Sequence, residues 1–228
     1  MRAAKIDRLF VLWCEPAHGR RHVVGHLSRS VTGARFWYQP DLSRAMADGF
    51  DYLPAFPSHR GEDQPYEARY LWSTFADRIP SPKRPDAKEI LERWGVAGSD
   101  DQFEILARSG GLRATDRIEL AEYRAANDRL AVPLEFRVAG MSFVEPQQRA
   151  RMSVGVRLRL VREPDNVVDP CAAALFSDDG MRAGYVPRQY SELIASLVDA
   201  GVQLDVQTVR TLLVPDDVGR WIVRVSRT

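Results

Sequence analysis

An α+β fold in two modules is predicted from three features of the chain. Residues 8–38 carry short apolar runs separated by turn residues, residues 66–111 switch to helical spacing, and from Leu134 onward the pattern is mostly strand-like. A polar stretch at 122–129 separates the halves, which places the domains at 1–126 and 130–228. The third feature is size: 228 residues can bury a sizeable core, as one large domain or as two of about 100 residues each.

The elements follow in order. Residues 8–14, R-L-F-V-L-W-C, read as a buried strand. The turn at 15–19 leads into a second strand ending near Ser28, and a third covers 34–38. Tyr66, Tyr70, Leu71 and Phe75 fit one face of a helix, and 87–94 forms another with Ile90, Leu91 and Trp94 inward. Ser99 with Gln102 has capping-box spacing for a helix through Phe103, Ile105, Leu106 and Ala107, which Gly110 and Gly111 stop. In the second half Met152, Val154, Val156, Leu158 and Leu160 alternate, so Arg151, Arg157 and Arg159 share the opposite face. A strand is expected at 172–176, a hairpin turn at Asp179-Gly180, and a helix opened by Pro187. Tyr190, Leu193, Ile194, Leu197 and Val198 line one face of that helix and Gly201 ends it. Strands at 202–214 and 220–226 joined by a turn at 215–219 complete a pattern that suits a small barrel.

Composition narrows the function. With 45% hydrophobic and 28% charged residues the chain is globular rather than disordered. Lys+Arg 32 against Asp+Glu 31 leaves a net charge of +1, far less basic than a protein that coats duplex DNA, so any nucleic-acid site must be a local patch. Residues 137–162 supply one, with six Arg against the single acid Glu145. Cys14 and Cys171 sit in different halves and suggest neither a disulfide framework nor a zinc site. The apolar run after the basic start ends by Cys14, too short for a signal peptide or a membrane span, and a cytoplasmic protein is expected. His18, His22 and His26 repeat every four residues, but on a turn and a strand that spacing puts them about 13 Å apart, so no metal is expected. No catalytic constellation stands out: Ser109-Gly110-Gly111 reads as a helix stop, and the chain is expected to be neither an enzyme nor a cofactor carrier.

Two stretches carry a family resemblance. Residues 160–172, L-V-R-E-P-D-N-V-V-D-P-C-A, and 184–188, G-Y-V-P-R, resemble the HIRAN signature, and V-A-G-M-S-F at 138–143 fits that family's first strand. The resemblance covers about 134–228 and implies a small OB-like β-barrel that recognises nucleic acid, in its best-understood member the 3′ end of single-stranded DNA. It also implies site residues. Asp169 would accept a hydrogen bond from the terminal 3′-hydroxyl beside Asn166, Phe143 would stack on the end base next to Ser142, and Tyr185 and Arg188 would lie near phosphate. Asp165 and Val168 depart from the DNA-binding member, which has Asn and a stacking Tyr there. The first half, through F-V-L at 10–12, V-G-H-L at 24–27, F-W-Y at 36–38 and D-Q-F-E-I-L-A-R-S-G-G at 101–111, resembles the N-terminal subdomain of HipA-type kinases without the kinase body.

Each candidate also has a structural reading. Asn166 and Asp169 could serve only to close a turn, Phe143 could be a core residue at a strand end, and Tyr185 could pack on the following helix. Arg157, Arg159 and Arg162 could track a phosphate backbone or form an ordinary solvated strand face. The function expected is recognition of single-stranded or 3′-ended DNA in repair, replication restart or defence. The alternative is a protein-interaction module that docks on a kinase, nuclease or helicase partner.

Overall fold

A computed structural model describes residues 5–127, 132–212 and 221–228, and the chain divides into two compact units after Tyr123. Unit 1 is an antiparallel sheet in the order β4-β3-β2-β1-β5, formed by β1 (Arg8–Cys14), β2 (Arg21–Ser30), β3 (Gly33–Tyr38), β4 (Tyr66–Ala68) and β5 (Ile118–Glu122). Short helices α1 (Ser43–Ala47), α2 (Ser73–Ala76), α3 (Ala87–Arg93) and α4 (Gln102–Ser109) accompany it. Leu9, Val11, Val24, Leu27, Phe36 and Tyr38 of the sheet form a core with Phe56, Phe75, Phe103 and Leu106. The Tyr38 hydroxyl donates to the Phe56 carbonyl at 2.8 Å and accepts from the Leu53 N–H at 2.9 Å, so the one polar atom of this buried ring is satisfied.

Three details of unit 1 differ from the sequence reading. The helix expected from Tyr66 to Phe75 is a short edge strand followed by one turn of helix. Tyr66 pairs with Phe36 and packs its ring against Phe56, while Tyr70 stands exposed. Helical spacing over two turns was outweighed by an open sheet edge. The cap of α4 is Asp101, whose carboxylate accepts from the Phe103 and Glu104 N–H groups; Ser99 instead donates to Glu104. Finally, β5 occupies part of the stretch read as polar linker. It alternates Ile118, Leu120 and Glu122 inward, and it pairs with β1 from more than a hundred residues away.

Arg78 is the buried cation of this unit. Its side chain is 1% exposed, forks onto Asp116 at 2.7 and 3.1 Å, and donates to the carbonyls of Thr74, Gly111 and Ile118. His22 and His26 both lie on β2. His22 faces Asp48 at 2.9 Å, and His26 is buried against Trp37, Phe10 and Tyr123.

Unit 2 is a six-stranded antiparallel sheet in the order β6-β11-β10-β7-β8-β9. Its strands are β6 (Leu134–Arg137), β7 (Arg157–Arg162), β8 (Ala173–Ser177), β9 (Arg182–Tyr185), β10 (Leu204–Thr211) and β11 (Trp221–Arg227). The sheet curls into a half-barrel. Just past β6, Ala139 meets Tyr185 of β9 through two hydrogen bonds of 2.9 Å, so the two edges of the sheet touch. One long helix, α6 (Arg188–Asp199), opens after Pro187 and packs Tyr190, Leu193, Ile194 and Leu197 into the core with Leu134, Leu175, Val206 and Val225. A shorter helix, α5 (Pro146–Arg149), precedes β7. The expected turn at 215–219 lies outside the described residues.

The alternation read from Met152 to Leu160 does not make one strand. The strand begins only at Arg157, Val154 is exposed, and Arg151 belongs to the preceding turn, where it ion-pairs with Asp179 of the β8–β9 hairpin. Gly155, with φ of 91°, breaks the extended backbone, although its N–H and the Val156 carbonyl already bond the backbone of Thr208 on β10. The first strand expected through Phe143 likewise ends early: residues 141–143 form a single 3-10 turn after Gly140.

Candidate nucleic-acid interface

The loop between β7 and β8 is built by its own side chains. The Asn166 carboxamide oxygen accepts from the N–H groups of Val168 and Asp169 at 3.0 and 3.2 Å, and its nitrogen donates to Glu163 at 2.9 Å. Asp169 turns one oxygen back to the Cys171 N–H at 2.9 Å. Among the described residues its other oxygen, Oδ2, receives no protein donor. The two residues thus close the turn, and Asp169 keeps one acceptor oxygen without a protein donor among the described residues. Val167 and Val168 project from the same loop, 99% and 71% exposed.

Glu163 joins this loop to the neighbouring strand. Its carboxylate meets the Tyr185 hydroxyl at 3.3 Å, and that hydroxyl accepts from Arg182 at 3.1 Å. The Tyr185 ring lies beside Gly140, where a Cβ would come within 3.1 Å of the ring, and under the Arg182 guanidinium at 5.5 Å from its centroid. Gly184 holds this strand end in place: its φ is 128°, and a Cβ there would sit 2.5 Å from the Ala139 carbonyl oxygen. That is the physical reason for glycine in the G-Y-V-P run.

Phe143 is 76% exposed, so it is not a core residue. Together with Val144, Gln148, Phe176, Gly180, Met181 and Arg182 it lines an open groove of about 290 Å³. Ser142 is exposed beside it on the same turn. Arg157 and Arg159 are exposed with Leu158 buried between them, and Arg159 lies over Phe176 at 6.0 Å. Neither Arg157 nor Arg159 meets a carboxylate among the described residues.

Arg162 is differently engaged. Its guanidinium donates to the Ala172 carbonyl at 2.8 Å and faces Asp199 at 3.3 Å, tying the loop to the end of α6. Arg188 stands exposed at the start of that helix. The fold therefore links Asn166 to Tyr185 through Glu163 at the point where the sheet edges meet, and it places Phe143 in a groove with Arg182. Glu163, Arg182 and Phe176, which sequence reasoning did not select, complete the surroundings. Glu163 was visible inside the signature, whereas Arg182 and Phe176 carried no local signal.

Such a surface, with ring faces, outward cations and an acceptor-bearing loop, can stack bases and hold phosphates. The comparison with known families meets it here. Residues 133–212 match the HIRAN domain. All the candidate residues from Ser142 to Arg188 fall inside the HIRAN segment. Among solved structures, the HIRAN domain of human HLTF is similar at 15% identity and a TM-score of 0.34, over 40% of this chain and 71% of that one. A protein from Lactobacillus plantarum is similar at 22% identity and a TM-score of 0.33, over 41% and 92%. No curated protein matches the chain. The resemblance of the first half to HipA-type kinases finds no support in any of these matches, and the HIRAN segment leaves that half outside. Among the described residues no cluster of His, Cys, Asp and Glu is arranged to hold a metal ion, and no helix is long and apolar enough to cross a membrane.

Proposed function

We propose that the HIRAN segment binds single-stranded DNA at its 3′ end and that the chain acts by recognition rather than by catalysis. The HIRAN domain is a DNA-binding module, which sets the ligand class. The observation that carries the finer reading is Asp169, which spends one carboxylate oxygen on its own loop and leaves the other without a protein donor among the described residues, while Phe143 of the same domain presents an exposed ring. A terminal hydroxyl suits that oxygen, and an end base suits the ring. Repair, replication restart or defence are the processes in which free 3′ ends arise.

The test is a titration of matched oligonucleotides ending in 3′-hydroxyl or 3′-phosphate. The phosphate removes the donor and adds about −1.5 to −2 charges next to Asp169 and Asp165. Losing a hydrogen bond to a charged group costs about 1.5–3 kcal/mol, so wild type should prefer the hydroxyl end by roughly 10- to 150-fold. Asp169→Asn should narrow that preference. Equal affinity for both ends would remove end recognition and leave a general single-strand binder; no binding to either would favour a protein-docking module instead.

A further inference from the structure

We infer that the outer face of β7, β8 and β9 is the track on which the strand continues once its 3′ end is held, so that the domain binds a run of nucleotides and not an end alone. This rests on the proposed function. Three residues stand in cross-strand register on that face: Arg159 opposite Phe176, and Phe176 opposite Arg182. Arg157 extends the row one step along β7. The order along the surface is therefore Phe143, Arg182, Phe176, Arg159, with two aromatic side chains alternating with two cations, and the first three lining one groove of about 290 Å³.

Charge identifies the occupant. Arg157, Arg159 and Arg182 meet no carboxylate among the described residues; Arg159 and Arg182 lie instead over the rings of Phe176 and Tyr185. Of the two hairpin carboxylates, Asp179 is already engaged by Arg151, Ser177 and the Met181 N–H, and Asp178 is exposed on the turn. A row of uncompensated guanidinium groups with rings between them is complementary to a flexible polyanion that carries its own rings. A rigid duplex buries its bases and would use the cations alone. Adjacent strands lie about 4.8 Å apart, so β9 to β7 spans about 10 Å, enough to seat a few nucleotides beyond the end.

The measurement is affinity as a function of length, with a dinucleotide and an octanucleotide of the same 3′-hydroxyl end, on the full chain. Wild type should bind the octanucleotide more tightly and with a steeper salt dependence. The double variant Arg157→Gln, Arg159→Gln, both on the exposed strand face, should weaken the octanucleotide more than the dinucleotide. It should lower the octanucleotide salt slope by roughly one unit per lost phosphate contact. Phe176→Leu, which keeps most of the packing volume, should weaken the octanucleotide by about 5- to 150-fold, the worth of one stacked base. A wild type that binds the dinucleotide but gains nothing from length overturns the track and leaves end recognition standing. A length gain that survives the double variant with its salt slope intact also overturns it. Binding of neither oligonucleotide overturns both.

Discussion

At the scale of single residues, the same motif contains side chains that hold the loop and, on Asp169, a carboxylate oxygen with no protein donor among the described residues. Asn166 spends its acceptor on two backbone N–H groups and its donor on Glu163, so it is structural before it is anything else. Replacing it with Ala should cost about 1–2 kcal/mol in urea unfolding and blunt 3′-end discrimination together. Asp169→Asn keeps an acceptor for the Cys171 N–H and should change discrimination with little loss of stability. If the two variants behave alike in both assays, Asp169 is a turn residue only. His26 offers a second residue-scale test, through pH. Burial, reinforced by the nearby Arg8 charge, pushes its imidazole down to about 3. Arg8 donates to Nδ1, which must be unprotonated to accept. The unfolded chain takes up this proton near pH 6.5 and the folded chain only near 3, so the stabilisation is complete above 6.5 and is lost as pH falls between those values. The loss should approach 1.4 kcal/mol per pH unit for this one group. His26→Gln should flatten the pH dependence of unfolding over that window; an unaltered slope would mean that other groups set it.

At the scale of elements, the β8–β9 hairpin decides where the site residues point. The ladder slips between Leu175 and Phe176: Leu175 faces Gly184, but Phe176 faces Arg182, so Ala183 is an extra residue on β9. The slip turns Arg182 onto the face that carries Phe176 and Arg159. Gly184 makes it possible, because its positive φ and the carbonyl of Ala139 against it leave no room for a Cβ. Gly184→Ala should therefore destabilise the protein by about 1–3 kcal/mol and weaken oligonucleotide binding with it. Wild-type stability in that variant would show that the hairpin tolerates a different backbone. In unit 1 the corresponding element-scale anchor is the Arg78–Asp116 fork, a buried cation paired and hydrogen-bonded through all three nitrogens between α2 and the start of β5. Arg78→Met leaves three carbonyls without this donor and Asp116 with only the Ile118 N–H, and should cost about 3–5 kcal/mol by chemical denaturation.

At the scale of the molecule, each unit carries its own core. In unit 2 the buried side chains of β6, β8, β10, β11 and α6 pack among themselves, with Leu134, Leu175, Ile194 and Val225 fully enclosed. A fragment from residue 124 to 228 should unfold cooperatively on its own and bind oligonucleotides about as tightly as the whole chain. Circular dichroism with denaturant and a binding titration on the same sample check both halves of that statement. A folded fragment that has lost all affinity would place the binding site, or an essential part of it, in unit 1.

Read alone, the sequence determined the signature, because the signature is local. The turn at 163–171 needs acceptors at fixed offsets from its own backbone N–H groups, and the G-Y-V-P run needs a residue without a side chain followed by one that opens a helix. The strand at Arg8–Cys14, the helix after Pro187 and the glycine stop at Gly110 were legible for the same reason. What only the tertiary structure decided is everything set by register. Helical spacing from Tyr66 to Phe75 yielded to an open sheet edge, and β5 found β1 across the whole of unit 1. Alternation from Met152 onward became a strand only from Arg157, past the break in extended backbone at Gly155. The row of Arg159, Phe176 and Arg182 lies on three strands and depends on one extra residue in β9. Side chains that share a surface across strands leave no periodic trace along the chain, since their adjacency comes from pairing between strands and not from spacing within one.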